Sequence, residues 1–344
     1  MKKVKRSVKI VIAVALVIML LLSSGVIFYL SKLNLIKFSN GKFTRSGSPD
    51  MSDSETLEEE SRMNEAIADL EERDAIDATG EIYKDKRFLN ILLIGTDERA
   101  ESFSENARGD SCMIMSIGKK DGSLKLASLE RGMGVPILEG KYKGQYDWLT
   151  HTFRYGGADL MMREVRECFK VDVERYIRVN FTTFKKGIDS VGGIDITLTA
   201  AEAAYVNKYT RRKSYTAGVN HLDSDAALAY ARCRHIDSDW HRIERQRNVI
   251  QAVVTKTKDL SVTELNTLLN NVLPLVQTNL TRLEITELLL SAPKYRGVQI
   301  KQMTVPISGS YGGMRGLGGR SLFSVDFDTN AKALREFIYG VKSE

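Results

Sequence analysis

The sequence predicts an α/β chain in which a single mixed β-sheet is surrounded by helices, behind one N-terminal transmembrane helix. Three observations carry this. Residues 10–30 are uncharged and apolar over a bilayer's thickness. From residue 88 onward, short apolar runs bounded by turn residues alternate with segments of helical period. Two of those runs flank an Asp-Gly pair, the signal of an antiparallel hairpin. The chain divides accordingly into a tail over 1–9, a membrane helix over 10–30, an acidic linker or stalk over 31–80 and an extracytoplasmic domain over 81–344.

Taking the elements in order, Lys2, Lys3, Lys5, Arg6 and Lys9 precede the apolar run and no acidic residue occurs before Asp50. The positive-inside rule therefore keeps the N-terminus in the cytoplasm and sends the rest outward. The stalk carries Glu58, Glu59, Glu60, Glu71 and Glu72, with Leu57, Ile67, Leu70 and Ile76 too sparse for a core, so a solvated helix or spacer is expected. Residues 88–94 (FLNILLI) read as a strand buried on both faces. Residues 112–117 and 124–129 form the hairpin around Asp121-Gly122, which brings Asp110 and Arg131 to one open end. If the strand at 88 ends there too, Asp97 and Arg99 join them. Further helices are expected over 159–169, 183–190, 200–209, 223–232, 243–258, 262–276, 285–290 and 329–339, and strands over 176–181, 194–198 and 298–305. The glycine-rich stretch 309–320 lacks the Gly-Lys-Ser/Thr ending of a phosphate loop and reads as an ordinary or mobile loop.

The net charge of +6 is unevenly spread, and the sharpest feature is five arginines within 232–247 (RCRHIDSDWHRIERQR). Arginine grips phosphate or carboxylate oxygens with a planar fork, where lysine offers a point charge. A focused anion site fits this better than a broad nucleic-acid surface, and no helix-turn-helix, zinc-finger or RNP pattern is present. The bland alternative is that Asp237, Asp239 and Glu244 pair with the arginines on a solvated helix face. Cys112, Cys168 and Cys233 are too few and too widely spaced for a disulfide framework, and the four histidines show no zinc pattern. Asp97 and Asp110, at adjoining strand ends, suit a magnesium ion that completes its shell with water and phosphate oxygens. Taken singly, each aspartate is more readily a turn cap or a partner of Arg99 or Arg108.

The combination is more specific than its parts. NILLIGTDER at 90–99, RGDSCMIMSI at 108–117, YGG at 155–157, DSVGGIDITL at 189–198, G-x-N-x-L at 218–222 and ALAYARCRH…SDWHRIERQR at 227–247 resemble, in that order, the LytR-CpsA-Psr family of envelope enzymes. The resemblance implies a mixed sheet with an apolar pocket for a polyprenyl chain. It also implies a phosphotransferase that moves a glycopolymer (teichoic acid, capsule or similar) from an undecaprenyl-diphosphate donor to peptidoglycan at the membrane; an external domain without a DNA-binding motif argues against a nucleic-acid partner. In it Asp97 and Asp110 match the positions that hold Mg2+, with Mn2+ a possible substitute. Arg99, Arg108, Arg131, Arg232, Arg234, Arg242 and Arg245, with Gln246, match the pyrophosphate-binding positions. Arg131, Arg232 and Arg234 would stabilise charge on the leaving phosphate, and Asp239 falls on the acidic position of the last motif. Two departures stand out: Glu130-Arg131-Gly132 replaces Pro-Arg-Asp, and Thr150 replaces an Asn, leaving Glu130 or His151 as substitutes in proton transfer. The lost aspartate also supports a second reading, a non-catalytic binder of polyprenyl phosphate or wall precursors, or an envelope regulator. Hydrolysis of a polyprenyl pyrophosphate is a third.

Overall fold

The computed structural model describes residues 31–39, 54–98, 103 and 107–341. The tail and membrane helix expected at 1–30 and the side chain of Arg99 lie outside them, and among the described residues no helix is long and apolar enough to cross a membrane.

The sheet is built on β2 (Phe88–Thr96), β3 (Ser111–Gly118) and β4 (Leu124–Leu129). β2 pairs antiparallel with β3, and β3 antiparallel with β4. β7 (Arg175–Asn180) adds parallel to β2, and β11 (Lys301–Val305) parallel to β4. The two-residue strands β1 (Lys37–Phe38) and β10 (Gln277–Thr278) finish the edge beyond β7, giving the order β1-β10-β7-β2-β3-β4-β11. This is the mixed sheet that alternating βα segments with one embedded hairpin require.

Side chains alternate across this sheet and so supply two cores. Leu92 and Ile94 of β2, Cys112 and Ile114 of β3, and Ala127 and Leu129 of β4 face Val165 and Phe169 of α2 (Leu149–Phe169) and Leu334 and Ile338 of α9 (Phe327–Tyr339). Ile91, Met113, Ile117 and Leu126 face the opposite way, towards Leu33, Ile36 and Ile285 of α8 (Arg282–Ser291). Each leucine, isoleucine, valine, methionine or phenylalanine among them stabilises the fold by about 1.5–3 kcal/mol on burial. A third core lies between the antiparallel pair β8 (Ile194–Leu198) and β9 (Gly218–Leu222) and the helices α3 (Phe181–Ser190), α4 (Ala200–Thr210), α5 (Ser224–Ala231) and α6 (Asp239–Lys256). α7 (Val262–Val272) packs on the outside of α3.

Several expectations are corrected. α2 begins at Leu149, ten residues before the expected start, and crosses a kink where Gly157 takes φ 66°, a left-handed value glycine tolerates. α6 starts at Asp239 rather than at residue 243, because Asp239 in its first turn pairs with Arg242 one turn on. The glycine-rich stretch is not a free loop: Tyr311–Arg315 (β12) pairs antiparallel with Ser321–Val325 (β13). A third hairpin, β5 (Gly134–Pro136) with β6 (Tyr146–Trp148), was not expected. All three cysteines are free and buried.

The largest correction concerns the linker. Its 54–67 part is a helix, α1 (Ser54–Ile67), that packs against β13 instead of standing in solvent. The chain then runs down the domain as a strap: Arg73 N–H donates to Gly313 O, Gly313 N–H to Glu71 O, and Ile76 N–H to Val325 O. Glycine at 312 permits this, since a Cβ there would lie 2.6 Å from the Glu71 carbonyl oxygen.

Candidate active site

The open end of the sheet gathers the predicted residues. Gly95 of β2 stands opposite Ser111 of β3, so Asp97 and Asp110 leave the sheet side by side. Cys112 stands opposite Leu129, which places Arg131 next to Asp110, its Nη1 3.6 Å from Asp110 Oδ1. Arg108 closes the turn: its backbone N–H donates to Asp97 Oδ1 at 3.3 Å, and its Nε lies 3.4 Å from Asp97 Oδ2.

Beside this end opens a cavity of about 630 Å³. Its floor is apolar, from Leu93, Met113 and Ile177 on the sheet and Phe184, Leu228 and Ile250 on helices α3, α5 and α6. Its mouth is charged, from Asp110, Arg131, Arg232, Arg234 and Arg242, with the neutral amide of Gln246 beside them. Arg232 caps the C-terminal end of α5 and lies over the Phe181 ring at 4.6 Å. Gln246 accepts from Ser111 Oγ at 2.9 Å, which ties α6 to the sheet end. Arg242 is fixed by two 2.8 Å bonds to Asp239 and donates to the Asp110 carbonyl at 3.2 Å.

A second cavity, of about 590 Å³, shares Arg131 and Arg234 with the first and carries Trp240, Tyr311 and Phe323 on its wall. Those three rings pack together, with centroids 5.5–6.0 Å apart. Asp239 and Glu130 line it too. Asp239 sits between Arg242 and Arg131, which hold its carboxyl well below the usual range against the cost of burial. Glu130 behaves oppositely: burial and the adjacent Asp239 push it up to about 8, over the pull of Arg131 and Arg242. At neutral pH the pair therefore carries one proton, held on Glu130.

Not every expected residue reaches the cavity. Arg245 lines neither space: its fork bonds Glu202 and Asp237 at 2.7 and 2.9 Å and the Cys233 carbonyl at 2.8 Å. Glu202 is itself shared with the Thr199 cap of α4. His151 is fully buried and faces Asp147 at 3.1 Å, away from both cavities, so it is not placed to substitute in proton transfer. Thr150 supports the site through its backbone, donating to the Arg131 carbonyl at 3.2 Å.

Sequence reasoning missed Glu59. From α1 its Oε1 reaches Arg131 at 2.6 Å and Arg234 at 3.3 Å, while Oε2 lies 3.9 Å from Arg108. Only 3% of the residue is exposed. Its one sequence signal is complementarity, an acidic triplet on a chain with an arginine run.

The donor set accommodates a divalent cation. Asp110 Oδ1 is buried and accepts no hydrogen bond, and the Asp110 carboxyl is pushed up by burial and by Glu59, over the pull of Arg131 and Arg108. A cation held there would offset that destabilisation. Among the described residues no cluster of three or more His, Cys, Asp or Glu could hold a metal, so any ion here rests on two carboxylates, as magnesium beside phosphate does.

An apolar chamber of this size, with arginines and Asp110 at its mouth, is suited in shape and charge to an anion carried on an apolar tail. The chain belongs to the LytR_cpsA_psr family, whose family model matches residues 51–336. It is 34% identical over 197 residues to the polyisoprenyl-teichoic acid–peptidoglycan teichoic acid transferase TagU of Bacillus mycoides (strain KBAB4), covering 56% of this chain and 61% of that protein. The match thus spans about three fifths of the curated relative's length. The fold is similar to that of TagT bound to LIIa-WTA, with a TM-score of 0.59, 25% identity, and coverage of 78% of this chain and 97% of that one. It is also similar in fold to YwtF (TagT) with bound octaprenyl pyrophosphate lipid, with a TM-score of 0.56 at 22% identity over 78% of this chain and 98% of that one.

Proposed function

We propose that this protein is a phosphotransferase that moves a glycopolymer from a polyprenyl-diphosphate carrier to a sugar hydroxyl of peptidoglycan. The observation that carries this reading is the junction of the two cavities: an apolar chamber on one side of Arg131 and Arg234, an aromatic-walled polar one on the other. The prenyl chain enters the first, the diphosphate lies across the arginines, and sugar rings stack on Trp240 and Tyr311 in the second. The family assignment and the name of the TagU relative support the same reading.

The chemistry requires positioning and charge neutralisation more than covalent help. An acceptor hydroxyl attacks the phosphorus that bears the polymer. The new O–P bond forms as the bridging P–O bond breaks, and polyprenyl phosphate departs with that bond's electron pair. Arg131, Arg232 and Arg234 stabilise the charge that develops on the leaving phosphate. Asp239, kept ionised by Arg131 and Arg242 at the wall of the second cavity, accepts the hydroxyl proton. Mg2+ (or Mn2+) would be held by Asp97 and Asp110, and when bound it neutralises diphosphate charge. Arg245 acts at one remove, by fixing the 233–237 turn that carries Arg234.

With an anchor at 10–30, the site would sit just outside the bilayer, and tethering would raise the effective concentration of a lipid-borne donor. The deciding experiment uses the full chain in nanodiscs with Mg2+, polymer-linked undecaprenyl diphosphate and peptidoglycan, reading carrier release and polymer–peptidoglycan product. Transfer predicts both, with release dependent on the acceptor. Release without acceptor would mark a hydrolase, and tight lipid binding without release a binder.

A further inference from the structure

The helix of the linker is placed where a substrate has to go. α1 (Ser54–Ile67) crosses the junction of the two cavities, and its Glu59 carboxylate makes the contacts with Arg131 and Arg234 that a phosphate oxygen would make, at 2.6 and 3.3 Å. Arg108, 3.9 Å away, adds a third positive charge. Together these hold the Glu59 carboxyl down at about 2, against the penalty of burial, so it is ionised throughout the working range. A buried carboxylate among three guanidiniums is what an anion site looks like when filled by an anion of its own chain.

The helix is docked by more than this one residue. Glu60 bonds Arg320 Nε at 2.7 Å, Asn64 accepts from Arg315 at 3.2 Å, and Ile67 packs against Gly313. Met63 fills the space over Gly132, where any Cβ would lie 2.0 Å from its terminal methyl carbon. Met63 and Ala66 also line the aromatic-walled cavity, so one helix closes over the sugar side and plugs the phosphate side. Beyond the C-terminal end of the helix the chain is fastened by the Glu71–Gly313, Arg73–Gly313 and Ile76–Val325 backbone bonds, which leaves residues 68–70 as the point about which it could swing.

We infer that α1 is an autoinhibitory lid, with Glu59 a tethered stand-in for the donor's diphosphate, so that the donor binds only when the helix lifts. This rests on the diphosphate-binding reading above. A ligand that needs a minor open state binds more weakly by the fraction of time that state is populated. Removing the competing charge therefore raises apparent affinity.

The test measures binding of farnesyl diphosphate with Mg2+ to the full chain in nanodiscs, for wild type, Glu59→Gln and Arg131→Ala. The lid predicts that Glu59→Gln binds at least about tenfold more tightly than wild type, with Arg131→Ala weakest. Equal affinity of wild type and Glu59→Gln, both well above Arg131→Ala, overturns the lid and leaves the binding reading standing. If no protein binds, both fall. Hydrogen exchange on wild type gives a check that no variant's folding can confound. Saturating ligand should deprotect amides of 57–67 while those of 88–129 hold or gain protection. Unchanged or increased protection of 57–67 shows that the helix stays in place, and overturns the lid.

Discussion

The arginine run splits into two parts that its sequence does not distinguish. Arg232, Arg234 and Arg242 line the cavity mouth, whereas Arg245 and Arg247 turn into the protein, Arg245 onto Glu202 and Asp237, Arg247 onto Gln302 and Thr304. What separates them is the partner each meets. Arg232 ends one helix and Arg234 lies in the turn before the next, where the backbone can aim both at one ligand. Arg245 and Arg247 lie inside α6, whose regular turn points them at α4 and at β11. One stretch therefore supplies both the arginines of the cavity mouth and the brace that holds them.

Substitutions can break that division. The largest expected effect is on the site: Arg131→Ala and Asp97→Ala should each lower transfer by at least about 10²–10³-fold, the usual cost of losing one charge-stabilising group. Near-normal turnover by both in the nanodisc assay would refute the assigned site. Arg245→Met should act through the brace, lowering stability by about 3–5 kcal/mol because the buried Glu202 carboxylate loses its partner. Arg232→Ala, at an exposed position over Phe181, should cost less than about 1 kcal/mol. Urea denaturation of the two variants compares them directly, and equal losses would erase the distinction. A smaller effect tests the apolar floor: Ile177→Trp fills the chamber and should weaken farnesyl diphosphate binding about tenfold while leaving inorganic pyrophosphate unchanged.

The sheet was legible because its signals are local. The apolar runs 88–94, 112–117 and 124–129 and the Asp121-Gly122 turn are enough to set register, and register alone places Asp97, Asp110 and Arg131 together. The strands Tyr311–Arg315 and Ser321–Val325 were hidden because their glycines serve close approach by the 71–73 strap, a contact more than two hundred residues away in sequence. Glu59 was hidden for a related reason: a charge run reads as solvated unless its partners are known. Arg245 was misassigned because a motif position does not reveal whether an arginine meets a ligand or a Glu202 already used as a helix cap.

The comparison of site with scaffold can also be made by titration. Glu130, in the site, and Glu164, in α2, are both pushed up to about 8, Glu130 by burial and Asp239, Glu164 chiefly by burial. Each stays protonated in the folded protein to about pH 8, while the unfolded chain releases the proton near the ordinary value of 4.5. The native state thus binds more protons between those limits, and stability must fall as pH rises through that window. Glu59 and Asp239, both lowered, do the reverse: their stabilisation is complete above the ordinary carboxylate range and is lost as pH falls towards 2. Glu130→Gln and Glu164→Gln should each flatten the fall between pH 5 and 8, by up to a few kcal/mol, and leave the acid limb unchanged. They should differ in function. Glutamine keeps the neutral donor beside Asp239, so Glu130→Gln should retain transfer within about threefold at pH 7 and lose activity less than wild type above pH 8, whereas Glu164→Gln should leave the activity profile unaltered. Denaturation midpoints at four pH values, with transfer rates at the same values, check both. An identical stability slope in wild type and Glu130→Gln would mean that Glu130 is already ionised in the folded protein, and the shared proton with Asp239 would have to be abandoned.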